Sequence, residues 1–147
     1  MTNGFRTLSA IALGMAIAGC AKSEKPADST QAAAAGASGK KFTIAMIGKS
    51  SNNPVFLAAR TGAEAAAKDL SAKEKMNIEI AWLTPPQEDG EVQAQRIRQA
   101  VNDGASAILI AASDAGKVTG AINDAVDRGV PVMTFDSDAP QSKRFAY

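Results

Sequence analysis

Four short apolar, β-rich runs punctuate the chain at Phe42–Ile47, Ile78–Trp82, Ala107–Ala112 and Val130–Phe135, with a stretch of helical spacing between each consecutive pair. Runs this brief suit buried strands better than helices. Strand and helix in strict alternation imply a parallel sheet with right-handed crossovers. The predicted fold class is therefore α/β, a doubly wound parallel sheet of four strands alternating with three helices. Asn53 is a good N-cap and Pro54 is tolerated at a first helical position, after which Val55, Ala59, Ala63, Ala66 and Leu70 recur as an inner face. Pro85-Pro86 closes the second strand. A second helix is expected from Asp89 to Asn102, with Val92, Ile97, Ala100 and Val101 inward, Glu91, Gln95, Arg98 and Gln99 outward, and Gly104 at its end. Ser113 or Asp114 caps a third helix carrying Val118, Ile122, Ala125 and Val126, and Gly129 stops it. Pro131 falls near the start of the fourth strand, where a missing ladder donor is cheapest.

Composition removes whole classes of chemistry. Histidine is absent and cysteine occurs once, so no Ser-His-Asp or Cys-His relay, histidine metal site, CxxC pair or internal disulfide is available. Sixteen Lys and Arg against fifteen Asp and Glu, with 5% aromatics, supply neither a phosphate-backbone footprint nor a base-stacking platform, and no nucleic acid is expected as a partner. A chain of 147 residues with 46% hydrophobic and 21% charged side chains has the balance of a globular domain, and its length allows one.

Residues 1–19 have the pattern of an export signal: Arg6 is the lone charge, Leu8 to Ala18 is apolar, and small residues follow. The run is too short to span a bilayer, which takes about 20 apolar residues. Ile17-Ala18-Gly19-Cys20 resembles the lipobox of bacterial lipoproteins, which implies cleavage before Cys20 and a membrane anchor through its acylated thiol and amine. The alternative is an ordinary secretory signal with an incidental cysteine. Residues 20–39 mix Lys, Glu, Pro, Asp, Ser and Thr with small residues and show no apolar period, as expected of a flexible tether. The folded part is expected over residues 40–147.

In an open parallel sheet, ligands bind beyond the carboxyl ends of the strands. That rule selects the loops Lys49–Asn53, Thr84–Glu88, Ser113–Gly116 and Asp136–Pro140. Gly48-Lys49-Ser50 has the ending of a phosphate-binding loop, but the glycine required five positions earlier is Thr43, and no GxGxxG follows. The polar groups converging on this edge suit a neutral, hydroxyl-rich ligand: Asn53 can donate and accept, Asp136 can accept from two hydroxyls, and Phe56 can cover an apolar C–H face. Each has a structural alternative. Asn53 can be only a helix cap, Phe56 only a core residue, Asp136 only a turn residue, Lys49 only a solvated loop cation, and Asp114 only the cap of the third helix.

The collinear series Ile44-Ala45-Met46-Ile47, Asn52-Asn53-Pro54-Val55-Phe56, Gln93 to Gly104, Ala107-Ile108-Leu109-Ile110 and Gly129-Val130-Pro131-Val132-Met133-Thr134-Phe135-Asp136-Ser137 resembles the type I periplasmic sugar-binding proteins, from Lys41 to Tyr147. The resemblance implies a sugar held between two such α/β lobes joined by a hinge, delivered to an ABC importer permease, with no cofactor and no catalysis. A monomer in the periplasm is expected. On matching positions it implies that Asn53 contacts a sugar hydroxyl, Phe56 stacks, and Asp136 supplies the carboxylate after the fourth strand, with Lys49 and Ser137 beside them. Val55 stands where ribose-binding members have a second phenylalanine, Ala111 where they often have asparagine, and Ser137 where they often have arginine. These departures leave the ligand open among monosaccharides, polyols and modified sugars. The chain ends where the strand leading into the hinge would begin, so the expectation is an N-terminal lobe without its partner lobe.

A cell-envelope hydrolase using Asp114 and Asp136 is the competing class, since paired carboxylates can do acid and base work. A sugar-responsive repressor would need a helix-turn-helix before Lys41, where the signal stands. A phosphoreceiver domain would need an acidic pair at Gly48-Lys49-Ser50.

Overall fold

A computed structural model of the chain describes residues 40–147. The expected export signal over 1–19, and the expected lipidated Cys20 and tether over 20–39, lie outside the described residues. The elements are β1 (Lys41–Ile47), α1 (Pro54–Glu74), β2 (Asn77–Trp82), α2 (Gly90–Asn102), β3 (Ala107–Ile110), α3 (Ala115–Asp127) and β4 (Val132–Thr134). The four strands form one sheet in the order β2-β1-β3-β4, parallel throughout, as expected. Register pairs Ile44 with Ile80 and with Ala107, and Ile108 with Val132.

This order reverses direction at β1. The chain steps from β1 outward to β2, then crosses back over β1 to β3 and onward to β4, so the crevice between β1 and β3 is the switch point where an open α/β sheet takes its ligand. Residues alternate along each strand, and Ala45, Ile47, Ile108, Ile110 and Val132 form a core with Ala94, Ile97 and Ala100 of α2 and Val118, Ala121, Ile122 and Ala125 of α3. The residues between them in sequence serve the α1 side, where Phe42, Ile44, Ile78, Ile80 and Leu109 meet Ala63, Ala66, Ala67 and Leu70 around an apolar groove of about 380 Å³.

The helix ends follow their capping chemistry. Asn53, Asp89 and Asp114 all sit in extended backbone and accept from N–H groups of the first turns of α1, α2 and α3. Gly104 and Gly129 adopt left-handed φ of 78° and 82° after α2 and α3, and Lys75 does so after α1 at 53°, a stop without a glycine to signal it.

Two inner faces differ from expectation. In α1 the buried residues are Phe56 and Ala67, while Val55 is 62% and Leu70 44% exposed. The run is so rich in alanine that period alone does not fix its rotation, and the large Phe56 ring sets it by packing under the end of β1. In α2 the buried stripe is Gly90, Gln93, Ala94, Ile97 and Ala100, with Val92 and Val101 only half-buried. The fourth strand is shorter than expected because Val130 N–H bonds Ala125 O at the end of α3 and Pro131 has no donor.

Candidate functional site

The strand-end edge is assembled by hydrogen bonds that tie its loops together. Gly48 N–H donates to Thr84 Oγ1 at 2.7 Å and Ser51 N–H to Pro85 O at 2.8 Å, joining the loops after β1 and β2. Ser50, 6% exposed, donates to Asn52 Oδ1 at 2.9 Å. Gln93, fully buried, joins the loops after β1 and β3: its Nε2 donates to Gly48 O at 2.9 Å and Ala111 O at 2.8 Å, and its Oε1 accepts from Ser113 N at 2.8 Å. Buried polar groups keep their stability only when so matched. Apolar character alone places Val92 on the inner face of α2, whereas the buried residue there is the polar Gln93. The stripe Gly90, Gln93, Ala94, Ile97, Ala100 at helical spacing is the signal that finds it.

Three of the expected residues are brought together. Lys49 Nζ lies 3.2 Å from Asp136 Oδ2, reaching past the end of β3, which separates β1 from β4 in the sheet. Ser137 Oγ donates to the same oxygen at 3.1 Å. Both contacts fall on Oδ2, so Oδ1 is the oxygen left to accept from a ligand, and the Lys49 ammonium has further N–H donors to offer beside it. Lys49 is 22% and Asp136 43% exposed on the side chain, so the pair is reachable from solvent. Asp136 has φ of 58°, a left-handed backbone that Asp and Asn tolerate better than other non-glycine residues.

Asn53 and Phe56 take the structural roles open to them. Asn53 Oδ1 accepts from Val55 N at 2.9 Å as the cap of α1, which leaves its amide nitrogen for other partners. The Phe56 ring is 3% exposed and meets Phe135 edge-on, with centroids 6.3 Å apart and planes at 80°. A Cβ added at Gly48 would come within 3.0 Å of that ring, so glycine is what allows the helix to seat it there. Phe56 is thus buried against Phe135, the residue before Asp136, and Val55 is the apolar side chain exposed beside Asn53.

Asp114 stands apart from this group. It caps α3 by accepting from Lys117 N at 3.1 Å and lines a polar hollow of about 390 Å³ with Glu88, Asp89, Gly90, Ser113 and Lys117. Among the described residues, no three His, Cys, Asp or Glu side chains are placed to hold a metal ion, and no helix is long and apolar enough to cross a membrane.

A parallel α/β layer whose strand-end loops converge on one open edge, with donor and acceptor groups paired there, has the layout in which open α/β sheets take ligands. Residues 44–147 match the periplasmic binding protein domain, and the chain belongs to that family. It is 33% identical over 104 residues to the ribose import binding protein RbsB of Bacillus subtilis (strain 168), covering 71% of this chain and 32% of that protein. Its fold is similar to that of AraP, an arabinose-binding protein from Geobacillus stearothermophilus, with TM-score 0.62 and 28% identity over 71% of this chain and 34% of that one. A solute-binding protein of an ABC transporter from Burkholderia graminis C4D1M, solved with D-arabinose, gives TM-score 0.62 and 27% identity over 71% and 34%. The chain therefore spans about a third of the length of these relatives.

Proposed function

We propose that this chain is the N-terminal lobe of the substrate-binding component of an ABC-type importer, and that it binds a monosaccharide or related polyol in the periplasm without chemical change. The observation that carries this reading is the Lys49–Asp136–Ser137 group at the switch point of a periplasmic binding protein lobe. In it Asp136 Oδ1 accepts one hydroxyl proton, the Lys49 ammonium donates to the neighbouring hydroxyl oxygen, and the Asn53 amide adds a second donor at the start of α1. A cation and a carboxylate side by side present a matched donor and acceptor to adjacent hydroxyls while keeping the wall neutral. The relatives named above are import, arabinose-binding and solute-binding proteins, which supports a sugar as ligand and a permease as partner. Phe56 serves this site through Phe135, by packing against the residue that precedes Asp136.

Titration with D-ribose, D-xylose and D-arabinose, followed by 1H–15N NMR so that weak binding is seen, tests the reading. One sugar binds saturably and is recovered unaltered, and Asp136→Ala weakens it at least about tenfold, as loss of a charged hydrogen-bond partner should. Binding of none, or turnover abolished by Asp136→Asn, overturns it. We further propose that Cys20 anchors the exported protein to the membrane. Cys20→Ser is expected to abolish labelling by radioactive palmitate, and labelling that persists contradicts the anchor.

A further inference from the structure

Asp138 is the most heavily hydrogen-bonded carboxylate among the described residues, and the ligand group proposed above does not use it. Its Oδ1 accepts from Thr134 Oγ1 and from Ala139 N, both at 2.7 Å, and Arg144 grips both carboxylate oxygens through Nε and Nη2. Such two-pronged guanidinium–carboxylate pairing fixes orientation as well as distance. Thr134 is 1% exposed at the end of β4, and Ala139 is fully buried. The segment bearing Arg144 is itself laid along β4: Phe145 N–H donates to Val132 O at 3.0 Å and Thr134 N–H to Ala146 O at 3.1 Å.

Between these fixed points the chain makes one tight excursion. Phe135 N–H is held by Ile110 O at 3.0 Å, Ser137 O by Ala112 N–H at 3.0 Å, and Asp136, between them, has the left-handed φ of 58°. Tyr147 Oη donates to Asp136 O at 3.2 Å from the same flanking segment. A left-handed non-glycine residue persists where its surroundings over-determine it. We propose that Asp138 and Arg144 are positioning residues for Asp136, a clasp that pins the loop on its far side so that the Asp136 carboxylate meets Lys49 and presents Oδ1 to the ligand. The Arg144 guanidinium holds the Asp138 carboxyl well below the usual carboxylate range, so the clasp stays ionised wherever the protein is folded at ordinary pH.

The ligand part of this inference rests on Asp136 being a sugar contact, and the positioning part does not, so two readouts separate them. The first is the backbone of Asp136 in 15N,13C-labelled protein, where the one-bond Cα–Hα coupling reports a positive φ. The wild type shows it, Arg144→Met and Asp138→Asn lose or average it, and Arg144→Lys, which keeps the charge without the fork, falls between. The second is affinity for D-ribose, D-xylose and D-arabinose. Asp138→Asn is expected to weaken the bound sugar about tenfold, and to cost nothing further once Asp136→Asn is in place. A merely structural role would lower the melting temperature in both backgrounds and leave that coupling between the two substitutions at zero. Should Asp138→Asn fail to fold, Arg144→Met carries the same test, because it leaves Asp138 its bonds to Thr134 and Ala139. If the backbone signal moves as expected and no sugar binds the wild type, the clasp stands and the sugar reading falls. If Asp136 keeps its signature in both variants, or a bound sugar is held equally well by them, the clasp is wrong.

Discussion

Single side chains decide how this edge is built, and they fail in different ways. Replacing Gln93 by leucine keeps the volume in the α2 stripe but strands Gly48 O, Ala111 O and Ser113 N without their partner. Unpaired groups of this kind cost about 1–3 kcal/mol each. Gln93→Leu is therefore expected to lower the thermal midpoint by at least about 10 °C, and an unchanged midpoint would mean water serves the three groups equally well. Asp138 gives a pH test. Its proton affinity is lowered in the folded state by Arg144, so the unfolded chain binds that proton more readily and acid favours unfolding. The stabilisation is complete above about pH 4, the ordinary carboxylate range, and drains away below it. Urea midpoints at pH 7 and pH 3 should differ less for Asp138→Asn than for the wild type; an equal acid loss in both would remove the clasp from acid stability. Of these residues, the sequence marks Asp136 and Lys49 by their position at strand ends. It does not mark their pairing, because β3 lies between their strands, nor the role of Gln93, whose partners come from two distant loops.

Elements were more legible than side chains. Every strand and helix follows from apolar runs and caps, because Asn53-Pro54, Asp89, Asp114, Gly104 and Gly129 each satisfy or end a helix by local chemistry that needs no tertiary partner. The rotation of α1 was not legible. Alanines on several sides leave its facing to tertiary packing, and the Phe56 ring against Gly48 and Phe135 decides it. Asn53 carries a cap and a proposed ligand contact in one side chain, and the two separate by substitution. Asn53→Asp keeps the accepting oxygen and loses the amide donor, so it should hold the melting temperature within a degree or two while weakening sugar binding. Asn53→Ala should cost about 1 kcal/mol of stability as well. If Asn53→Asp binds sugar as the wild type does, Asn53 is a cap alone.

At the scale of the molecule, sheet order locates the proposed site. The order β2-β1-β3-β4 puts the reversal beside the end of β1, and Lys49, Asn53, Asp136 and Ser137 all lie on the edge that this reversal opens. The described lobe presents one wall to solvent, whereas small-molecule sites enclose roughly 70–90% of their ligand. Its own affinity for a sugar should accordingly be weak, roughly millimolar. Two-dimensional 1H–15N NMR detects binding in that range and locates it. Titrating the chain with D-ribose, D-xylose and D-arabinose should shift the amides of Lys49, Asn53, Asp136 and Ser137 saturably for one of them, with the sugar's own spectrum unchanged in kind. Shifts confined to the hollow at Asp89 and Asp114, or the growth of new product signals, would contradict a binding lobe centred on Lys49 and Asp136.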